Sequence, residues 1–383
     1  MPGDTPSTIY IGLMSGTSLD GIDIAIVDFA THPPKLVHCA TRPFEKSLRQ
    51  RIRDITLDNR ASIDALCQLD VELGITYAEI VNRSLDAAGL ERSQIRAIGN
   101  HGQTIRHHPS GDFPYTLQAG DPNTIAVRTG ISTIGDFRRK DVALGGQGAP
   151  LAPAFHNFMF RADNSDRAII NIGGIANITS LPANPNSSVI GFDTGPGNTL
   201  LDYWINQHQG LTHDDRGSWA ASGSVIDDLL NEMLDREHYF DQLPPKSTGT
   251  DYFSPNWLSQ YLQGDFSPPD VQATLLELTA ISIARGLGQL ATTPRECYIC
   301  GGGVHNHFLL ECLRQAIPDC RVDSTEALGV NPDYVEAMAF AWLAQQSINH
   351  RAGNLPTVTQ AKAQAVLGGI YPGHDVDQAR ISK

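Results

Sequence analysis

The chain has 383 residues, 41% hydrophobic and 18% charged, which suits a folded protein of two domains and excludes a disordered or fibrous one. Twenty-eight basic residues against 42 acidic ones leave a net charge of −14. That excess disfavours extended nucleic-acid binding and anionic membranes, while a small anion can still be held locally. No run approaches the ~20 apolar residues of a membrane span. The N-terminus carries no basic and apolar leader, and six irregularly spaced cysteines fit free thiols, so the expected setting is the cytoplasm.

Residues 9–13 and 22–29 are β-rich runs. The second alternates Ile22, Ile24 and Ile26 with Asp23, Ala25 and Val27, as a half-buried strand does. Between them lies Met14-Ser-Gly-Thr-Ser-Leu-Asp-Gly21, which predicts a β-hairpin with a small, polar tip. A third strand is expected over 35–41, then helices over 45–55 and 62–88, where Ile63, Leu66, Leu69 and Leu73 recur at helical spacing. A strand over 95–99 ends in His101-Gly-Gln-Thr104, and another is expected over 117–121. From 131 the pattern begins again, with a strand over 131–134 and a helix over 152–160. A second strand–glycine–strand unit follows, 168–173 into Gly173-Gly174 and out through 175–179, the mark of a weak internal duplication. Residues 189–192 lead into Asp193-Thr-Gly-Pro-Gly-Asn198; 243–253 read as a mobile Pro/Gly/Thr loop outside the core. Residues 271–290 form the clearest amphipathic helix of the second half, a strand over 297–300 runs into Gly301-Gly-Gly303, and helices start at Asn306 and cover 334–348. The class is α/β.

Three segments carry chemistry. At the first hairpin tip, closely spaced glycines let backbone N–H groups converge on an anion, with hydroxyls from Thr17 and Ser18. Asp20 and Asp23 suit a triphosphate that bears Mg²⁺, directly or through water. No GxxxxGK is present, so this is not a Walker A loop, and read alone the segment is more often a tight polar turn. Asp193, ending a strand before a run of glycines, suits a general base or a Mg²⁺ ligand, or else a cap for the helix near Asn198. Gly301, Gly302 and Gly303 with Asn306 permit the close backbone approach a nucleotide base or ribose needs, or simply a flexible connection. Cys297-x-x-Cys300 lacks a second pair and reads as structural. His101 fits the polar loop, and His107 and His108 read as solvated loop residues. The basic cluster at 138–140 is a solvated face or an anion receiver.

Taken together, these segments resemble the anhydro-N-acetylmuramic acid kinase family. The match begins with Ile11-Gly-Leu-Met-Ser-Gly-Thr-Ser-Leu-Asp-Gly-Ile-Asp23 and continues through His101-Gly-Gln-Thr104, Asp136-Phe-Arg138 and Gly145-Gly-Gln-Gly-Ala-Pro-Leu151. It then takes in Asn171-Ile-Gly-Gly-Ile-Ala-Asn177, Gly191-Phe-Asp-Thr-Gly-Pro-Gly-Asn198, Lys246-Ser-Thr-Gly249, Cys300-Gly-Gly-Gly303 and Glu336-Ala337, in the family's order. The resemblance implies a two-lobed, actin-like ATPase (ribonuclease H-like) fold with the active site in the interlobe cleft. It implies a first lobe of residues 1–130 plus 355–383 with the phosphate hairpin and sugar contacts. The second lobe, 131–354, would hold the catalytic aspartate with nucleotide-base and sugar contacts. Carried over by position, Gly16, Thr17, Ser18, Leu19, Asp20, Gly21, Ile22 and Asp23 would hold ATP phosphates, with Gly173, Gly174, Gly301, Gly302, Gly303 and Asn306 also on ATP. Asp193 would be the catalytic base, Thr104, Arg138 and Glu336 would contact the sugar, and Mg²⁺ would arrive with ATP. The implied activity converts 1,6-anhydro-N-acetylmuramic acid, ATP and water into N-acetylmuramic acid 6-phosphate and ADP, in recycling cell-wall sugars, by a homodimer. Two departures stand out: Thr250-Asp251 where the family has Arg-Glu, and Thr359-Gln-Ala where it has Thr-Gly-Ala. The alternatives are another sugar kinase of the same fold and, in a different class, a nucleotide-dependent binding module.

Overall fold

Alternating β-branched residues make Ile9–Met14 (β1) and Gly21–Asp28 (β2) an antiparallel hairpin, with Ile9 opposite Asp28 and Met14 opposite Asp23. The structure, a computed structural model, describes residues 7–16, 19–58 and 60–373; Thr17 and Ser18, expected on phosphate, lie outside the described residues. Lys35–Pro43 (β3) adds antiparallel to β2. Helices Lys46–Leu57 and Ile63–Ala88 follow, the second capped by the Ser62 hydroxyl on the Ala65 N–H and closed by left-handed Gly89 (φ 65°). Ile95–Asn100 (β4) returns parallel to β1. After a small hairpin, Gln103–His108 (β5) and Tyr115–Ala119 (β6), Thr133–Gly135 (β7) joins parallel to β4.

The same path is then taken again. Arg167–Ile172 (β8), Ile175–Leu181 (β9) and Ile190–Pro196 (β10) pair antiparallel in succession. Glu296–Cys300 (β11) lies parallel to β8, and Arg321–Ser324 (β12) parallel to β11. Gly369–Tyr371 (β13) returns to the first sheet, antiparallel to β7. The sheets therefore run β3-β2-β1-β4-β7, with β13 at the edge, and β10-β9-β8-β11-β12. Each has three antiparallel strands followed by two parallel ones. This repeat is the duplicated ribonuclease H-like arrangement of the actin-like ATPases, and the duplication hinted at by two glycine hairpins is one of whole sheets.

Two units result, one running through Phe155 and resuming at Glu336, the other His156–Val335. Both switches fall away from the 130 and 355 expected from sequence. The strand at 133–135 does not restart the pattern; it pairs with β4, so the first unit keeps the chain past 130. It takes the chain back early because the helix Val335–Ile348 lies on the first sheet. A Cβ on Gly12 would sit 1.8 Å from the Ala337 carbonyl oxygen, and one on Gly99 2.0 Å from that of Phe340. Only glycine in β1 and β4 permits so close an approach.

The first core gathers Ile11, Ile22, Ile24, Leu73 and Tyr77; the second gathers Ile170, Phe192, Phe240, Phe253 and Leu276. Three expectations change. The helix Pro268–Gly288 is not amphipathic but buried on nearly all faces, because β9, β10 and neighbouring helices surround it. His107 and His108 belong to strand β5, where their side chains are exposed. The 243–253 segment is exposed along most of its length but ends in the core: Phe253 is fully buried and rings of Tyr239, Phe240, Tyr252 and Trp257 pack around it.

Candidate active site

In the first unit the β1–β2 tip is braced from below. The buried Ser15 hydroxyl lies 2.7 Å from the Tyr77 hydroxyl, and Gln103 Nε2 donates to the Gly16 carbonyl at 3.3 Å. Leu19 holds a left-handed backbone (φ 57°), uncommon outside glycine. The side chains of Leu19 and Ile22 are buried in the core, which leaves them only backbone to offer a ligand. Gly21 is required by packing, since a Cβ there would meet the Arg42 carbonyl oxygen at 2.5 Å. Asp20 is exposed and pairs with Arg49 at 3.3 Å, whereas Asp23 accepts from the Thr41 hydroxyl at 2.6 Å.

The chain turns from β7 into the helix Phe137–Ala143 through Asp136, again left-handed (φ 60°), and this turn presents Arg138. Its Nε and Nη2 donate to His101 Nε2 at 3.0 and 2.9 Å, and its Nη1 donates to the Gly148 carbonyl at 2.7 Å. A guanidinium has five N–H donors, so two remain for a ligand. Burial and the Arg138 charge hold His101 well below the usual histidine range, so it is neutral and accepts. Burial lowers Arg138 to about 10, opposed by the charges of Glu336 and Asp141, and it keeps its charge at neutral pH. Glu336 is raised by burial, against the pull of Arg138 and with a further push from Asp23. No hydrogen bond claims its carboxylate among the described residues. Thr104, on β5, accepts from Gln118 Nε2 at 3.3 Å.

In the second unit the glycine segments meet at the carboxyl ends of β8 and β11, where Asn171 is opposite Cys300. They are not equivalent. A Cβ on Gly303 would strike Ile172 at 2.3 Å and one on Gly301 would strike Asn171 Oδ1 at 2.2 Å, so both are needed for packing. At Gly173 and Gly302 the nearest atoms lie 3.7 and 3.8 Å away, ordinary contact, so packing does not explain these glycines. The carbonyls of Gly173 and Gly174 accept from the N–H groups of Gly197, Asn198 and Thr199, which consumes the start of the helix Thr199–Gln209. Asn306 spends its Oδ1 capping its helix at Leu309 N–H, 3.0 Å.

Asp193 is not a helix cap. It precedes a bulge in β10, and Oδ2 of its carboxylate accepts from the Ser247 hydroxyl and the Thr248 N–H, each at 2.9 Å. The backbone is tied on both sides: Asp193 N–H to the Lys246 carbonyl at 3.2 Å, and the Tyr239 hydroxyl to the Asp193 carbonyl at 2.8 Å. Burial raises the Asp193 carboxyl above the usual range, opposed by the Thr248 and Ser247 hydrogen bonds. Oδ1 has no partner among the described residues. Lys246 points back into its own unit, donating to the Tyr239 and Phe240 carbonyls at 3.2 and 3.3 Å, and so anchors its segment. The departure Thr250 places its methyl 3.1 Å from where a Gly174 Cβ would stand, beside the glycine turn. His101, Ser247, Thr248 and Tyr239 have site contacts that motif reading did not assign; the first three lay inside quoted motifs, while nothing in sequence marks Tyr239. Among the described residues there is no cluster of three metal-ligating side chains, and no helix is long and apolar enough to cross a membrane.

Residues 8–373 match the family model described as anhydro-N-acetylmuramic acid kinase. The anhydro-N-acetylmuramic acid kinase of Coxiella burnetii is 49% identical over 369 residues, covering 96% of this chain and 98% of the relative. That of Saccharophagus degradans is 50% identical over 370 residues, covering 95% and 99%. A solved structure of (R)-2-hydroxyglutaryl-CoA dehydratase component A from Acidaminococcus fermentans aligns with a TM-score of 0.47 at 11% identity, over 88% of this chain and 96% of that one. The chain thus belongs to the anhydro-N-acetylmuramic acid kinase family.

Proposed function

We propose that the chain transfers the γ-phosphoryl group of ATP to O6 of 1,6-anhydro-N-acetylmuramic acid while water opens the C1–O6 bond, giving N-acetylmuramic acid 6-phosphate and ADP. Family membership supports the substrate, and the Asp193 carboxylate supports the chemistry: one oxygen held, the other unclaimed, its basicity raised by burial. Breaking a glycosidic bond usually takes two carboxyl groups, one of them protonating the leaving oxygen. Here O6 leaves onto phosphorus, so phosphoryl transfer replaces the acid. Asp193 has one task, to take a proton from the water that attacks C1 on the opposite face, and inversion at C1 follows. On this reading Arg138 offers its two spare N–H donors to the sugar, with Glu336 and Thr104 as further contacts.

On the same reading the β1–β2 tip meets phosphates, and Gly173 and Gly302 leave room for the nucleotide, where a side chain would fill the space. Mg²⁺ bound to ATP would neutralise charge on the phosphates, and Asp20 or Asp23 fits a water-mediated contact to it. A cytoplasmic homodimer that recycles cell-wall sugars is the setting we propose. Asp193→Asn should keep ATP affinity within about twofold and lower turnover by at least ~10³-fold, the scale of losing a general base. Near-normal turnover in that variant removes Asp193 from the role.

A further inference from the structure

We propose that Ser247 is a positioning residue that orients the Asp193 carboxylate and sets its strength as a base. The inference rests on the reading of Asp193 as the base. The geometry is a cradle made by one short segment. The Ser247 hydroxyl and Thr248 N–H both take Oδ2 at 2.9 Å, while the Lys246 carbonyl takes the Asp193 N–H at 3.2 Å. With Oδ2 doubly held, the carboxylate cannot spin, and Oδ1 is the oxygen left to accept a proton. The segment is itself anchored: Lys246 Nζ is fixed on two carbonyls and stands 4.9 Å from the centre of the Tyr239 ring. The buried Glu237 carboxylate accepts from the Tyr252 hydroxyl and Trp257 Nε1, at 2.8 and 2.7 Å.

The titratable groups around Asp193 in its unit are the Tyr239 phenol on its carbonyl, the Lys246 ammonium turned towards the Tyr239 and Phe240 carbonyls, and, beyond Tyr239, the Tyr252–Glu237 pair. None of them donates to the carboxylate, which leaves Ser247 as the only side chain on it among the described residues. A hydroxyl that donates to an ionised carboxylate favours the ionised form; removing it favours the proton. In Ser247→Ala the acid limb of the kcat/KM–pH profile therefore moves to higher pH. At the pH optimum kcat falls about tenfold or more, the scale of one charge-assisted hydrogen bond, with the KM for ATP unchanged.

The experiment measures pH profiles for the full-length wild type, Ser247→Ala, Ser247→Thr and Asp193→Asn, with thermal unfolding alongside. Expected are an upward shift in Ser247→Ala, return of the limb in Ser247→Thr, which keeps the hydroxyl, and equal melting temperatures. An unmoved limb and unchanged kcat in Ser247→Ala, with Asp193→Asn inactive, overturns the positioning role alone. An active Asp193→Asn overturns the base itself. A fall in kcat that tracks lost melting temperature, with no shift of the limb, reduces Ser247 to a structural residue.

Discussion

Arg138 shows how much a single side chain depends on its fork. Its three nitrogens reach two acceptors, the neutral His101 ring and the Gly148 carbonyl, and still leave donors over. The arrangement needs His101 unprotonated, which burial and the arginine's own charge ensure. The Gly148 acceptor is fixed in turn by Asp141, a fully buried carboxylate that takes the Gly148 N–H at 2.8 Å and the Asn354 amide and Thr359 hydroxyl at 2.7 Å each. Thr359, beside one of the family departures, thus has a contact of its own, and the changed residue, Gln360, simply follows it. Lysine at 138 keeps the charge but has no fork to span His101 and Gly148. Arg138→Lys should raise the KM for the anhydro-sugar at least ~10-fold, the cost of one or two hydrogen bonds to a charged group, with the KM for ATP little changed. Steady-state kinetics in each substrate decides it; a sugar KM equal to wild type removes Arg138 from the sugar.

At the scale of elements, glycines divide by what lies where a Cβ would be. Gly12 and Gly99 let the helix Val335–Ile348 rest on β1 and β4, and that helix carries Glu336 at its start. Gly12→Ala would force the helix off the sheet, so it should cost about 2–4 kcal/mol of stability as an overpacked core does. Gly173→Ala meets no such obstacle, should leave the melting temperature within a degree or two, and should weaken ATP binding about tenfold or more by filling ligand space. Calorimetry and nucleotide titration on the pair test both statements. Loss of stability at Gly173 with intact ATP binding would contradict the division.

From sequence the glycine runs looked alike, because a glycine needed for packing and one left open for a ligand have the same letter. The alternating strands and the long helix expected over 62–88 were legible, since each is set by local pattern. The helix Phe137–Ala143 was hidden behind a basic cluster, whereas Asp227–Arg236, with Leu229, Leu230, Met233 and Leu234 at helical spacing, carried a local signal that was not read. The burial of Phe253 at the end of the 243–253 segment was illegible for a different reason: Tyr239 and Phe240, which pack on it from more than ten residues away, are brought there by tertiary packing. Asp193 was visible as a strand-end carboxylate; its cradle, some 54 residues away in sequence, was not.

At the scale of the whole molecule, two sheets with one strand order place equivalent glycine hairpins, β1–β2 and β8–β9, at the opening of each repeat. The repeats have diverged in what they carry: an arginine–histidine pair and a glutamate that faces the arginine's charge in one, a cradled aspartate beside a glycine turn in the other. On the proposed function, that difference suits a reaction with two demands, phosphoryl transfer and activation of water. The direct test is release of ADP in ¹⁸O-water, with ATP, Mg²⁺ and 1,6-anhydro-N-acetylmuramic acid, beside N-acetylmuramic acid and N-acetylglucosamine. The account predicts ADP only with the anhydro-sugar, and a 6-phosphate whose C1 hydroxyl carries the ¹⁸O with inverted configuration. ADP released equally with the open sugars, or with none of the three, would contradict it.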